Sequence, residues 1–83
     1  MHFLKKREKE LLLLLLQKYK REFTPIEISR ELSVTNKTVI NRLSVLAKNG
    51  FVVPNLVKER IRSYELSEFA KNCEKEIVGE LTE

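Results

Sequence analysis

The apolar positions change their spacing along this chain, and each change marks a predicted element. The N-terminal quarter holds six consecutive leucines, Leu11 to Leu16, followed by Tyr19 in a stretch without proline or glycine. We therefore predict a first helix over residues 4–22. Leucines in an unbroken run cover every side of a helix, so one side can pack on the domain while another is left for a partner. An unusually apolar core helix in a monomer is the alternative.

The segment Thr24-Pro25-Ile26-Glu27 carries the signals of a second helix start. A capping threonine, a proline at the first helical position and a glutamate three residues after the cap form a capping box. Ile28 and Leu32 then lie on one side of a short helix predicted over residues 25–32. Phe23, just before the cap, is placed to pack toward Ile28.

Residues 33–36 form a predicted turn, in which Thr35 is a good N-cap for a third helix reaching Asn49. Gly50 is expected to end this helix in a left-handed conformation. The apolar residues of the helix recur on one side, at Val39, Leu43, Leu46 and Ala47.

Beyond Gly50 the pattern becomes that of a hairpin. Residues 51–53 are predicted as one strand, ended by the turn signal Pro54-Asn55, and residues 60–66 as a second strand. Arg62, Tyr64 and Leu66 share one face of that second strand, whereas Ile61 has the opposite parity.

Ser67 can cap a last helix, predicted as one piece over residues 67–81. Its apolar residues keep a helical stripe to the end, at Phe69, Ala70, Cys73, Ile77 and Leu81.

Composition limits the chemistry available to this single predicted domain, residues 1–83. Sixteen Lys and Arg against twelve Asp and Glu give a net charge of +4, which suits a polyanionic partner. The sequence has no Asp, so a Ser-His-Asp triad cannot form, and two glycines, Gly50 and Gly79, cannot build a phosphate loop. One histidine, His2, and one cysteine, Cys73, cannot fill a zinc site. We expect neither an enzyme nor a metal, a cofactor or a small-molecule ligand.

The basic start followed by leucines looks superficially like a signal peptide. The leucine run has only six residues and is followed by Gln17-Lys18-Tyr19-Lys20-Arg21 rather than a small-residue cleavage site. A membrane span needs about 20 apolar residues. We expect a cytoplasmic protein without a membrane partner (in the host cytoplasm if the source is viral).

The ordered set of elements resembles the winged-helix regulators of the MarR and ArsR kind. The segments similar to their signature are Ile28-Ser29-Arg30-Glu31-Leu32, Val34-Thr35-Asn36-Lys37-Thr38-Val39, Asn49-Gly50-Phe51-Val52 and Tyr64-Glu65-Leu66-Ser67. The resemblance covers about residues 8–70. The short chain and leucine-rich first helix also look like small winged-helix proteins of archaea and their viruses. The Cys and His ligands of ArsR-type metal sensing are absent.

The resemblance implies a mainly α fold with a small β-hairpin (α+β), a winged helix-turn-helix in the order helix, helix, helix, strand, wing, strand, helix. Residues 25–49 would be the helix-turn-helix and residues 51–66 the wing hairpin. The implied partner is double-stranded DNA, read in the major groove by the third helix.

The implied DNA-binding residues fall into two groups. On the third helix, Asn36, Lys37, Thr38 and Asn41 are expected to approach bases, and Thr35, Arg42 and Lys48 to meet phosphates. On the wing, Lys58, Arg60 and Arg62 are expected to lie along the backbone or in the minor groove. A merely solvated helix face and a merely basic hairpin are the alternatives. Ile40 is expected to pack inward rather than contact a thymine methyl.

The terminal helices, residues 4–22 and 67–81, carry surplus apolar surface and are expected to form a homodimer. The expected interface consists of Leu11, Leu12, Leu15, Leu16, Tyr19, Phe69, Cys73, Ile77 and Leu81. The resemblance implies a transcription regulator, in the first instance a repressor, and a two-fold dimer predicts a pseudo-palindromic operator. The alternative is a winged-helix protein-interaction module in a larger assembly that does not read DNA sequence.

Overall fold

The fold of residues 3–82 is described by a computed structural model. The helices and strands are α1 (Lys6–Lys18), α2 (Pro25–Leu32), α3 (Asn36–Lys48), β1 (Val52–Val57), β2 (Arg60–Leu66), α4 (Glu68–Asn72) and α5 (Glu74–Leu81). The order is the predicted one, except that the last helix is divided in two. Within residues 3–82, no helix has the length and apolar character needed to cross a membrane.

The two helices of the helix-turn-helix begin where their capping signals lie. The backbone N–H of Thr24 donates to Glu27 Oε2 at 2.8 Å, which closes the capping box of α2. The backbone N–H of Thr38 donates to Thr35 Oγ1 at 3.2 Å at the start of α3. Between them Ser33 adopts a left-handed conformation with φ 56°, which ends α2 and turns the chain tightly into α3. The predicted bounds of α2 are confirmed.

The leucines of α1 form the centre of the core. Leu11, Leu12, Leu15 and Leu16 are fully buried, in a helix that packs against α3 and α5. Burying one such side chain contributes about 1.5–3 kcal/mol. The rest of the core comes from every other element, chiefly Ile28, Val39, Leu43, Leu46, Phe51, Tyr64, Leu66, Ala70 and Ile77.

This burial changes the expected subunit interface. Leu11, Leu12, Leu15, Leu16, Tyr19 and Ile77 all lie within the protomer's own core. In this conformation these side chains have almost no accessible surface with which to contact a second copy. The partly exposed leucines of α1 are instead Leu13 and Leu14, which the prediction left out.

The first helix is shorter than the predicted residues 4–22 because the chain after Lys18 takes part in the sheet. Phe23 N–H donates to the Tyr64 carbonyl at 2.9 Å, and Tyr64 N–H donates to the Phe23 carbonyl at 2.8 Å. Phe23 therefore adds a one-residue third strand beside β2. Its ring is buried, with its centroid 5.9 Å from that of Tyr19 and 6.4 Å from that of Tyr64.

The predicted turn at Pro54-Asn55 is wrong, because β1 runs through both residues to Val57. Pro54 lies opposite Tyr64 in the ladder. The backbone N–H and carbonyl of Tyr64 already bond to Phe23 on its other side, so Pro54 occupies a position where no ladder donor is needed. The chain turns instead at Lys58-Glu59, where both residues have positive φ, 51° and 67°.

A β-bulge accounts for the broken alternation in β2. Asn55 pairs with Ser63 and Leu56 pairs with Ile61, which leaves Arg62 as the extra residue. The strand parity therefore changes at Arg62, between the exposed tip and the buried root of the hairpin.

The single predicted helix over residues 67–81 is interrupted at Cys73. Ser67 caps its first part as predicted, with Ala70 N–H donating to Ser67 Oγ at 3.0 Å. The break lies at neither a proline nor a glycine, so the local sequence carries no signal for it.

The C-terminal end of α1 is joined to α2 through one carboxylate. Glu31 accepts hydrogen bonds from Lys18 Nζ and from the Tyr19 hydroxyl, each at 2.8 Å. The hydrogen bond from Lys18 lowers the pKa of the Glu31 carboxyl most, and the hydrogen bond from Tyr19 lowers it further. The same bond to Glu31 raises the pKa of Tyr19.

We predict that removing the Glu31 carboxylate flattens the acid side of the stability profile. A carboxyl whose folded pKa is lowered stabilises the fold above its unfolded pKa of about 4.3, and this contribution is lost as the pH falls through the folded value. Glu31→Gln should therefore lose less stability than the wild type in urea unfolding between pH 6 and pH 3. Glu59→Gln, in the hairpin turn, removes one carboxyl and is the control. If Glu31→Gln has the same pH profile of stability as the wild type, the Glu31 carboxylate does not stabilise the fold through Lys18 and Tyr19.

The burial of α1 gives a second prediction. Leu15→Ala should lower the free energy of unfolding by about 2–5 kcal/mol, since it removes fully buried methyl groups and leaves a cavity. Leu56→Ala is the matched control, because Leu56 is 60% exposed and its truncation should change the free energy by less than about 0.5 kcal/mol. Urea unfolding measures both, and equal effects would show that the α1 leucines are not the core.

Candidate nucleic-acid interface

Helix α3 buries one side and exposes the other. Val39, Leu43 and Leu46 are fully buried, as their spacing predicts. The opposite side is exposed and forms the α3 face, defined here as Asn36, Lys37, Ile40, Asn41, Ser44 and Lys48. These positions recur three or four residues apart, so they share one side of the helix.

Four of the predicted α3 residues lie on this face, and three lie beside it. Asn36, Lys37, Asn41 and Lys48 are exposed. Thr38 and Arg42 are half-buried on the flank. Thr35 precedes the helix, where its hydroxyl donates to Thr38 Oγ1 at 2.8 Å and also accepts the capping bond. The hydroxyls of Thr35 and Thr38 are thus bonded to each other.

The sequence-based selection did not include two residues of the face. Ile40 was expected to pack inward, but its side chain is 37% exposed, so that prediction is wrong. Ser44 is exposed, and its hydroxyl donates to the Ile40 carbonyl at 2.9 Å. The spacing Lys37, Ile40, Ser44, Lys48 could have identified both, because it follows one side of a helix.

The hairpin of β1 and β2, the wing, projects three cationic side chains. Lys58, Arg60 and Arg62 are all exposed. Arg60 and Arg62 line an open trough of about 480 Å³, together with Thr24 at the start of α2. Within residues 3–82, no ion pair involves these three side chains.

The root of the wing is fixed to the linker between α1 and α2. Ser63 Oγ donates to Glu22 Oε1 at 2.7 Å, and Asn55 Nδ2 donates to the same oxygen at 3.1 Å. Glu22 precedes Phe23, whose backbone pairs with Tyr64. The wing is therefore held in a fixed position relative to the helix-turn-helix.

Charge is distributed unevenly over the molecule. Helix α3 carries Lys37, Arg42 and Lys48 and no acidic residue. The two C-terminal helices are acidic, with Glu68, Glu74, Glu76 and Glu80 against Lys71 and Lys75. Helix α3 and the wing are therefore the elements where exposed cations outnumber carboxylates, which favours the approach of a polyanion to them.

The remaining candidate chemistry is sparse. Among the residues that the structure describes, no group of three or more His, Cys, Asp and Glu side chains could hold a metal ion. Cys73 is a half-buried free thiol between α4 and α5. His2 lies outside the described residues.

Two solved structures are similar to this chain in fold. One is a mutant of ZitR from Lactococcus lactis, with 22% sequence identity and a TM-score of 0.63 over 87% of this chain. The other is the transcriptional regulator PA3341, with 22% identity and a TM-score of 0.66 over 90% of this chain. The chain spans 49% and 56% of the lengths of these two proteins. No family model and no curated protein matches the sequence.

The likeness shows the fold. The chain is a winged helix-turn-helix, mainly α with a small antiparallel hairpin, as its order of elements predicted.

Proposed function

We propose that this chain is a DNA-binding transcription regulator that binds a pseudo-palindromic operator in the cytoplasm as a homodimer. The observation that carries the proposal is the α3 face, which is exposed, free of acidic residues and lined by amide and cationic side chains. The similarity in fold to a transcriptional regulator supports it.

In this proposal α3 lies in the major groove. Asn36 and Asn41 present amides that can pair with adenine, and Lys37 presents an ammonium suited to guanine. Ile40 adds an aliphatic surface of the kind that contacts a thymine methyl. Thr38, half-buried on the flank, would touch bases at the edge of the same groove.

The other cations are assigned to the backbone. Arg42 and Lys48 lie on the flank and at the C-terminal end of α3, where they would meet phosphates, and Thr35 lies at the helix N-terminus. Lys58, Arg60 and Arg62 extend the basic surface along the wing. Each phosphate that they neutralise makes the slope of log affinity against log salt more negative by about 0.9.

We predict that reversing charge on the α3 face abolishes DNA binding, whereas the same reversal on the C-terminal helices does not. Lys37→Glu with Lys48→Glu should weaken binding to duplex DNA by at least about a hundredfold, through lost contacts and phosphate repulsion. Lys71→Glu with Lys75→Glu changes the net charge equally and is the control. Fluorescence anisotropy with a labelled duplex, at several salt concentrations, measures both.

Three outcomes would contradict the proposal. Equal losses in the two double variants would mean that only net charge matters. Tight binding by both variants would mean that DNA is bound by a surface other than the α3 face. No binding by the wild type would favour the alternative of a protein-interaction module. Selection from random duplexes tests sequence reading separately, because enrichment of two related half-sites supports an operator and uniform recovery excludes one.

The homodimer is proposed through surface that the core leaves exposed. Leu13 of α1 and Leu81 of α5 border a shallow groove of about 270 Å³ with Lys6, Lys9 and Glu10. Phe69 and Cys73 precede Leu81 in the C-terminal segment, and Phe69 is exposed whereas Cys73 is half-buried. A small domain buries a modest fraction of its surface alone, so pairing through these side chains would add to its stability. Repression would follow if the bound dimer covers a promoter.

We predict that Leu13→Glu produces a monomer, because a buried unpaired carboxylate is costly at an interface. Sedimentation velocity should give twice the 9.8 kDa chain mass for the wild type and the chain mass for the variant. Leu56→Glu, at the hairpin, should remain dimeric. A monomeric wild type at all concentrations refutes the dimer without affecting DNA binding by α3.

A further inference from the structure

The tip of the wing exposes aliphatic side chains as well as cations. Leu56 is 60% exposed and Ile61 is 52% exposed. The two residues are direct partners in the β1–β2 ladder, so their side chains lie next to each other on one face of the hairpin. We call this pair the aliphatic tip.

Cations flank the aliphatic tip. Lys58, Arg60 and Arg62 lie within two residues of it along the chain, and Glu59 is the one acidic residue of the hairpin between Leu56 and Arg62. A surface with an apolar centre and a cationic rim is complementary to a ligand with an apolar centre and an anionic rim. A DNA duplex has this chemistry at an opened base step, since apolar base faces are then exposed between two lines of phosphates.

The hairpin is short and well anchored. Its two-residue turn, Lys58-Glu59, has positive φ at both positions, as in the type I′ turns that match strand twist. At its root, Asn55 and Ser63 bond to Glu22. A tip held in this way loses little conformational entropy when it inserts into a ligand.

We infer that the wing enters the minor groove and inserts Leu56 and Ile61 at a base step, which partly unstacks the step and bends the duplex. Apolar wedges of this kind are known to kink DNA. Arg60 and Arg62 would contact the flanking phosphates, and a flexible pyrimidine–purine step such as TA would be the easiest to open. The inference rests on the proposed DNA binding and adds a bending activity to it.

The test compares binding and bending in the full chain. The probe is a duplex of about 30 base pairs with a central TA step and a fluorophore at each end, so that bending raises energy transfer. The variant Leu56→Thr with Ile61→Thr has β-branched, strand-compatible residues at both positions but lacks most of the apolar surface. Val53→Thr is the matched control, because Val53 is an exposed aliphatic residue of the same strand, nearer its root.

We predict that the wild type and Val53→Thr bend the probe and that the double variant binds it without bending. The double variant should bind about tenfold more weakly, because less apolar surface is buried in the complex. The salt dependence of DNA binding by the double variant should equal that of the wild type, since all the Lys and Arg side chains remain. Thermal unfolding should give similar midpoints for all three proteins, since the replaced side chains are exposed.

A base analogue identifies the groove. Replacing the adenines of the central step by 2,6-diaminopurine adds an amino group in the minor groove and leaves the major-groove pattern unchanged. This probe should weaken wild-type binding and leave the double variant unaffected.

Several results would overturn the inference. Binding without bending by the wild type, or equal bending by the double variant, refutes the wedge and leaves the proposed function intact. The variant Lys37→Glu with Lys48→Glu distinguishes failure of the wedge from failure of the proposed DNA binding, because it changes α3 and leaves the aliphatic tip intact. A double variant that loses dimer mass in sedimentation would assign the tip to self-association. A wild type that floats with phosphatidylglycerol vesicles, but does not bend DNA, would assign it to a lipid surface.

Discussion

The packing of the α1 leucines against α3 determines which side of α3 faces outward. Leu11, Leu12, Leu15 and Leu16 fill the space beneath α3, and Val39, Leu43 and Leu46 complete that contact from the other side. Because both apolar stripes are fully buried, α3 cannot rotate without exposing leucine or valine to water. The polar side of α3 is therefore held outward by the packing of the core.

A second constraint joins the wing to this core. The consecutive residues Glu22 and Phe23 connect the end of α1 to β2, one through its side chain and the other through its backbone. Phe23 is buried between two aromatic rings, so the linker cannot leave the sheet without losing both hydrogen bonds and apolar contact. These contacts fix the root of the wing to the linker that leads into α2, as the proposed simultaneous contact of α3 and the wing with one duplex requires.

The division of charge and apolar surface gives each side of the molecule a different partner in our proposals. The α3 face and the wing carry exposed cations, whereas the acidic C-terminal helices lie where a second copy is proposed to pack. The aliphatic tip is the exception, since apolar side chains are exposed among cations. Exposure of such side chains costs solubility, and burial between base pairs would offset that cost.

Much of the fold could be predicted because its signals are local. The capping box at Thr24, the N-cap at Thr35 and the left-handed Gly50 are short-range features, and helix propensity and periodicity place α2 and α3 between them. The same periodicity determined which residues of α3 are polar and outward, including the amides and lysines proposed to bind DNA.

Long-range contacts decided the rest. The pairing of Phe23 with Tyr64 ends α1 earlier than predicted. The same pairing allows Pro54 inside β1, although the local sequence predicts a turn there. The leucine run could not reveal which of its members are buried, because every side of that helix is apolar. Packing against α3 and α5 buries Leu11, Leu12, Leu15 and Leu16 and leaves Leu13 partly exposed. The sequence alone determined the order of elements and the polar side of α3, since both depend on neighbouring residues. The tertiary structure decided the length of the wing, the buried side of α1 and the exposure of Leu56, since each depends on residues distant in the chain.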